Sequence, residues 1–584
     1  MDIFSVLTML GGLALFLYGM NLMGDGLEKL ASGKLESLLD KLTNNRVKAV
    51  LLGAVVTAVI QSSSATTVTV VGFVNSGVMK LSQAIPVIMG SNIGTTMTSW
   101  LLSLTGIEGS NIFLQLLKPS SFTPILAAIG VVMSMMSKND KKKDLSSILL
   151  GFAILMFGMD TMSAAVRPLA NVPEFQNILT MFENPLLGVV TGTVLTAVIQ
   201  SSSASVGILQ ALSMTGSVSY AAAIPIIMGQ NIGTCVTALM SCIGANKNAR
   251  RTAMVHLYFN LIGTVVFLIL YLVARSAVVI PILDQPIDVA GIALVHSVFN
   301  LASTAMLLPF TKGLEKLACL TIRDNPSVEE QVVLLDERLL TTSSFAISRC
   351  KSLTEDMADE ANGSILNAIS LLNNYTPDGA EKVVASENRV DNYEDKLGTF
   401  LVKLSSHNLS AEESREASKI LHGIGDLERI SDHSVNIMEV AQEMYEKKLR
   451  FSDDAQAELN VLTGAVEEVL DLAVRAFQTN DILLAKWVDP LEEVIDEIIR
   501  DLKLRHIDRL KKGMCTVETG FVFNDLLANY ERVADHCSNL AICVIELAQG
   551  EYNAHEYSSK NETASDFTAL YHATRRKYVL PQAQ

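Results

Sequence analysis

The sequence has no CxxC pair, and its seven cysteines (Cys235, Cys242, Cys319, Cys350, Cys515, Cys537, Cys543) are odd in number. A disulfide framework is therefore not indicated, and the thiols read as reduced and structural. No phosphate-loop motif and no nucleophile–base constellation stands out, which argues against an enzyme. The first apolar stretch, Ile3 to Met23, has neither a basic leader nor a small-residue cleavage site, so it reads as a retained span. Positive charge is not in surplus: the net charge is −16, most of it in the C-terminal half, which argues against nucleic acid as the partner of that half. Inside the predicted spans there is no Asp, Glu, Lys or Arg, Asp160 lying toward the end of one. A carrier coupled to protons usually displays an intramembrane carboxylate or a histidine relay.

What is present divides the 584 residues into two unlike parts. Residues 1–315 carry long apolar stretches, many near the roughly 20 residues needed to cross a bilayer. Residues 330–550 are charged and helix-forming, and 551–584 read as a disordered tail without apolar periodicity. Within the first part the phrase TAVIQSSSA occurs twice, at Thr57–Ala65 and Thr196–Ala204, an offset of 139 residues. The same offset relates GLALFLYGMNLM (12–23) to GFAILMFGMDTM (151–162), and IPVIMGSNIGTT (85–96) to IPIIMGQNIGTC (224–235). A constant offset without an insertion marks an internal duplication, with repeats at about 3–137 and 145–243 and extra spans at 252–274 and 290–311.

Each repeat reads as a span, an amphipathic stretch (24–47 in the first), a hairpin (49–79), a span interrupted by Gly90, Asn92 and Gly94 (84–105) and a closing span (121–137). One continuous helix over the hairpin would be about 46 Å long, against a hydrocarbon core of about 30 Å, so re-entrant hairpins are expected. Three crossings per repeat make the second copy inverted. With the N-terminus outside, the inner segments collect Lys29, Lys34, Lys41, Arg46, Lys48, Lys80, Lys138, Lys141, Lys142, Lys143, Lys247, Arg250, Arg251, Lys312 and Lys316. The outer ones keep Lys118, Arg167 and Arg275. This positive-inside bias places the acidic domain in the cytoplasm of a multi-pass cell-membrane protein.

Inverted repeats with interrupted helices are the architecture of secondary transporters. Backbone N–H groups where a helix restarts after QSSS form an anion cradle. Ser62, Ser63, Ser64, Ser201, Ser202 and Ser203 add hydroxyl donors, while Gln61 and Gln200 can donate to an anion or accept so as to pin the hairpin tip. The segments around Asn92 and Thr95, and around Asn231 and Thr234, offer carbonyl, amide and hydroxyl oxygens to a small hard cation. The absence of buried charge favours Na⁺ as that ion, and His256 and His296 keep a proton route open or serve to bond helix to helix.

The motifs QSSSATT and QSSSASV, each followed by PxIMGxNIGT, resemble those of the type II sodium-phosphate cotransporter family over residues 1–312. The resemblance implies inorganic phosphate held between the two hairpin tips by Gln61, Ser62, Ser63, Ser64, Gln200, Ser201, Ser202 and Ser203. It implies Na⁺ near the QSSS segments and the broken spans, on Thr66, Asn92, Thr95, Ser205, Asn231 and Thr234, and alternating access as the mechanism. A carrier of another oxyanion, an exporter of phosphate and a membrane-anchored phosphate sensor are the rival readings.

In the acidic part, ERISDH (428–433) is echoed by ERVADH (531–536), each preceded by an ExxxD turn, Glu387/Asp391 and Glu492/Asp496. Carboxylates four apart share a helix face and repel unless neutralised. This part resembles the PhoU family of phosphate-regulatory proteins, which implies two three-helix bundles. It also implies a divalent or iron-like metal on Glu387, Asp391, Glu428, Asp432, Glu492, Asp496, Glu531 and Asp535. The expected whole is all-α: a polytopic membrane domain of two inverted repeats with re-entrant hairpins and broken helices, plus a cytoplasmic helical domain. Membrane lipids are its surroundings, and a homo-oligomer is left open.

Overall fold

The structure, a computed structural model, describes residues 3–31, 45–106, 118–137, 139–173, 176–177, 181–323, 335–407, 409–549 and 565–581. Two compact units divide between Ala346 and Ile347. Part of the amphipathic stretch expected over 24–47 (32–44, with Lys34 and Lys41), Lys138 and the tail over 551–564 lie outside the described residues.

In the first unit, α1 (Ile3–Ala31) is followed by α2 (Arg46–Ile60) and α3 (Ser63–Asn75), then α4 (Leu81–Ser103) and α5 (Pro119–Met136). The second repeat repeats this order: α6 (Asp140–Val166), α7 (Pro185–Ile199), α8 (Ser202–Ser213), then α9 (Tyr220–Gly233) with α10 (Cys235–Ser241) and α11 (Lys247–Ala277). α12 (Val289–Leu307) and α13 (Thr311–Thr321) complete the run. Among the described residues, six stretches are long and apolar enough to cross a membrane: 3–31, 119–136, 141–169, 220–241, 247–277 and 289–321. Exposed Leu186, Val190, Val194 and Val198 on α7 and Ile269, Leu270 and Val273 on α11 suit surfaces solvated by lipid.

Both hairpins form as length predicts. α2 and α7 have 15 residues each, about 22 Å, too short for the hydrocarbon core. Asn45 starts α2 by accepting from the Val47 and Lys48 amides, and Asn184, followed by Pro185, starts α7 in the same way.

The inversion is visible in how α1 meets α6, its equivalent in the other repeat. A Cβ on Gly12 would sit 2.8 Å from the Met162 amide nitrogen, on Gly19 2.3 Å from that of Leu155, and on Gly26 2.8 Å from the Ile148 side chain. Partner numbers fall as α1 numbers rise, so the two helices run antiparallel. Phe16, Met20, Met23, Met156, Met159 and Met162 fill their seam.

One expectation fails in the first repeat. α4 runs unbroken through Gly90, Asn92 and Gly94, so those carbonyls stay within the helix. The glycines serve close approach instead: a Cβ on Gly90 would lie 1.9 Å from the Val50 carbonyl oxygen. Gly229 meets Val189 in the same way at 2.0 Å, yet there the helix does divide, at Thr234 between α9 and α10.

The second unit carries the long helices expected of paired three-helix bundles: α14 (Ser343–Asn373, which begins in the first unit), α15 (Pro377–Ser405), α16 (Ala411–Lys447), then α17 (Asp453–Thr479), α18 (Ile482–Lys511) and α19 (Val517–Gln549). The described part of the tail corrects the expectation of disorder: α20 (Ser565–Lys577) is a helix packed on this unit. Its Tyr571 donates to Glu497 at 2.5 Å, Arg575 pairs with Glu497 at 3.0 Å, and the Arg505 guanidinium holds the Pro581 carbonyl at 2.7 Å. Polar contacts hold it, which is why apolar periodicity did not reveal it.

Candidate functional site

Each QSSS phrase becomes the tip of a hairpin. Gln61 and Gln200 end α2 and α7 in the left-handed region, both at φ 59°. For a residue with a Cβ this costs of order 1 kcal/mol or more, a strain that tends to persist at functional positions. Ser62 and Ser201 then cap the restarting helices, their hydroxyl oxygens accepting from the amides of Ala65 (3.1 Å) and Ala204 (3.2 Å). A capping serine uses a lone pair, so its own hydrogen stays available to an acceptor.

The tips converge. Ser63 Oγ and Ser202 Oγ, 139 positions apart, stand 3.4 Å from each other. Around them lies a cavity of about 390 Å³ lined by all eight residues expected at the anion site, Gln61 to Ser64 and Gln200 to Ser203. The two glutamines diverge in role. Gln61 Oε1 accepts from Thr98 at 2.9 Å and its amide donates to the Ala58 carbonyl, so it pins the tip. Gln200 is exposed, with no side-chain partner among the described residues.

The positive ends of α3 and α8 thus face one space, an arrangement that repels unless negative charge enters. Helix α1 supplies some: Asp25 and Glu28, together with the neutral amide of Asn21, line the same cavity. These were missed in the sequence because Gly24-Asp25-Gly26 reads as the end of a span, whereas α1 continues to Ala31. Thr341, from the segment after α13, also lines the cavity.

The six residues expected to offer oxygens to a cation, Thr66, Asn92, Thr95, Ser205, Asn231 and Thr234, are all buried. Thr66 accepts from Thr57 at 3.1 Å and donates to the Ser62 carbonyl at 3.0 Å, which puts it just behind the first tip. Ser205 takes the matching bond from Thr196 at 2.8 Å. Asn92 instead donates to Asn260 at 2.7 Å, while Thr95, Asn231 and Thr234 bond back along their own helices to Ser91, Ile227 and Asn231. None of the six lines the cavity. Of the two histidines, His296 bonds Ser99 at 2.9 Å across helices, whereas both ring nitrogens of buried His256 are without a partner among the described residues.

In the second unit, carboxylate oxygens of Glu387, Asp391 and Asp432 lie within 4.8 Å of one another. Burial, then Asp391 and Asp432, pushes the Glu387 carboxyl above its usual range, and burial followed by Asp432 does the same to Glu428. Such an all-oxygen, mutually repelling set fits a hard cation. In the other bundle, burial and then Asp496 and Asp535 push Glu492 up to about 8. Asp496 is raised by burial and then by Glu531 and Asp535, and Asp535 chiefly by burial. There, however, Lys503 already pairs with Glu531 at 3.0 Å. All seven cysteines are free thiols.

A helical membrane domain of inverted repeats whose hairpin tips enclose an anion-suited cavity, followed by a helical domain with paired acidic motifs, defines a multi-pass carrier class. The family model for the Na⁺/Pi-cotransporter matches residues 15–164 and 154–281, and that of the PhoU domain matches 354–441 and 459–544. The chain is 31% identical over 308 residues to the uncharacterized protein YqeW of Bacillus subtilis, spanning 53% of this chain and 95% of that one. It is 23% identical over 559 residues to the putative inorganic phosphate export protein YjbB of Escherichia coli, covering 95% of this chain and 100% of that one. It is also 39% identical over 103 residues to the rat sodium-dependent phosphate transport protein 2A, 17% of this chain and 16% of that one. The chain belongs to the Na⁺/Pi-cotransporter family and carries PhoU domains after its membrane part.

Proposed function

We propose that this protein moves inorganic phosphate across the membrane by alternating access, with the anion held between the two QSSS tips and Na⁺ as the coupling ion. The observation that carries the reading is the approach of Ser63 to Ser202 in the cavity where two helix N-termini converge. Hydroxyl and amide donors surround an oxyanion there without a fixed positive charge. Because Asp25 and Glu28 already offset those helix ends, an entering phosphate needs cations with it, and the family's description supplies Na⁺. Thr66 and Ser205, directly behind the tips, are the best placed of the cation ligands; Asn92, Thr95, Asn231 and Thr234 complete the set by resemblance.

The N-terminus is outside and the PhoU domains are cytoplasmic in this proposal, in keeping with the lysine and arginine distribution. Those domains regulate transport, with a divalent or iron-like metal on Glu387, Asp391, Glu428 and Asp432, and a second on Glu492, Asp496, Glu531 and Asp535. The metal would neutralise carboxylates that now repel.

Export is the second reading, favoured by the name of the full-length relative YjbB. Phosphate flux in proteoliposomes, with the Na⁺ gradient and voltage set independently, tests both. Flux indifferent to Na⁺ would remove the coupling claim, and flux that follows only an outward phosphate gradient would select export.

A further inference from the structure

Between α13 and α14 the chain does not simply connect; residues 336–345 are bolted to the first hairpin. Asp336 is 3% exposed. It accepts from the Asn75 amide at the end of α3 and pairs with Arg338 at 2.7 Å. Arg338 also donates to the carbonyls of Ser241 and, at 3.1 Å, Ile243, where α10 ends in the other repeat. Asn75 in turn accepts from the Asn246 amide at 2.7 Å. One short segment therefore ties the far end of the first hairpin to the exit of the second repeat's divided helix.

Further along, Leu339 is fully buried, and a Cβ on Gly72 would sit 3.2 Å from its Cδ2 and 3.3 Å from the Arg338 Cβ. Thr342 bonds Thr69 at 3.0 Å, and Phe345 meets Phe73 edge to face at 5.3 Å. Thr341 reaches the wall of the phosphate-suited cavity itself. The gripped helix, α3, is the one whose N-terminus carries Ser63. A buried ion pair and buried amides are stable only while every partner stays in place, so such a latch holds or releases as a unit.

We propose that residues 336–345 form an autoinhibitory strap. Docked, it fixes α3 against the second repeat and blocks the rocking that alternating access needs; released, it frees the first hairpin tip. Its C-terminal end is the start of α14, so rearrangement of that helix is the lever that pulls it. This inference rests on the transport reading for its function, but the latch can be tested without it.

The test is the double substitution Gly72→Cys with Arg338→Cys in full-length protein in proteoliposomes, the Cβ separation being close to that of a disulfide. Reduced, the variant has lost the Arg338 anchors and should carry phosphate several-fold faster than the unsubstituted chain. Oxidised, it should fall back to the unsubstituted rate or below, and reductant should restore the faster rate. Equal flux in the two states, with the cross-link shown by gel mobility after proteolysis, overturns the strap. A second arm uses Arg338→Ala or Leu339→Ala with Ser64→Cys as a reporter in the cavity. A soluble thiol reagent should label that cysteine several-fold faster than in the docked chain, and an unchanged rate overturns the strap whether or not phosphate moves. An unsubstituted chain with no phosphate flux under any gradient would overturn the transport reading instead.

Discussion

At the scale of the residue, the two tips are equivalent in their serines and unequal in their glutamines. Replacing Ser63 or Ser202 by Ala removes one donor to a charged ligand, a loss of about 1.5–3 kcal/mol, or roughly 10- to 100-fold in phosphate affinity. Isothermal titration in detergent measures it. Gln61→Ala should act mainly on stability because that side chain bonds the protein at both ends, whereas Gln200→Ala should act on binding. Asp25→Asn is expected to weaken the dependence of phosphate binding on Na⁺ and leave some binding intact. Affinity measured across a Na⁺ series decides this, and an unaltered Na⁺ dependence would remove Asp25 from the coupling.

At the scale of the element, helix contact is set by glycine. Gly53→Ala would place a Cβ 2.0 Å from the Val87 carbonyl oxygen, a contact that must push α2 from α4. The expected cost is about 1–3 kcal/mol. Gly11→Ala, with nothing within 4 Å, should leave thermal stability unchanged or raise it slightly. Thermal aggregation of the two variants in detergent compares them directly.

The bundle formed by α17 to α19 carries a pH signature. Glu492 is protonated more readily in the folded protein than in the unfolded chain, so between pH 4.5 and about 8 the folded state binds more protons. Stability of this bundle should therefore fall as pH rises through that window in the absence of metal. Hydrogen exchange along α18 and α19 reads it, and Glu492→Gln should flatten the profile. A bound divalent ion should do likewise, since it offsets the same charge.

Sequence patterning revealed those elements whose cause is local or repeated. The duplication, the hairpins and the paired acidic turns follow from identical phrases, from apolar runs too short to cross, and from carboxylates four apart. Other features depend on what a residue faces in space. Gly90 and Gly94 read equally well as a break or as a close contact, and only the approach of α2 decides for contact. Asp25 and Glu28 read as the edge of a span until α1 is seen to carry them into the cavity. Helix α20 is held by Tyr571 and Arg575, whose value depends on Glu497 some 70 residues away.

At the scale of the whole molecule, the orientation in the bilayer is a claim about two sides. A cysteine introduced at exposed Val279 should react with an impermeant thiol reagent in intact cells, and one at Lys142 only in inverted vesicles, the unsubstituted chain serving as blank. Labelling of both from one face would remove the proposed orientation.

The meeting of Ser63 with Ser202 has a consequence for ancestry and for assembly. Neither half of the polypeptide encloses the cavity alone, since residues of both repeats line it. A lone ancestral unit would have needed a sibling inserted upside down, and hence no fixed orientation of its own. Residues 1–137 and 138–323 produced from separate genes should accordingly recombine along their methionine-filled seam and regain a pocket that neither possesses alone.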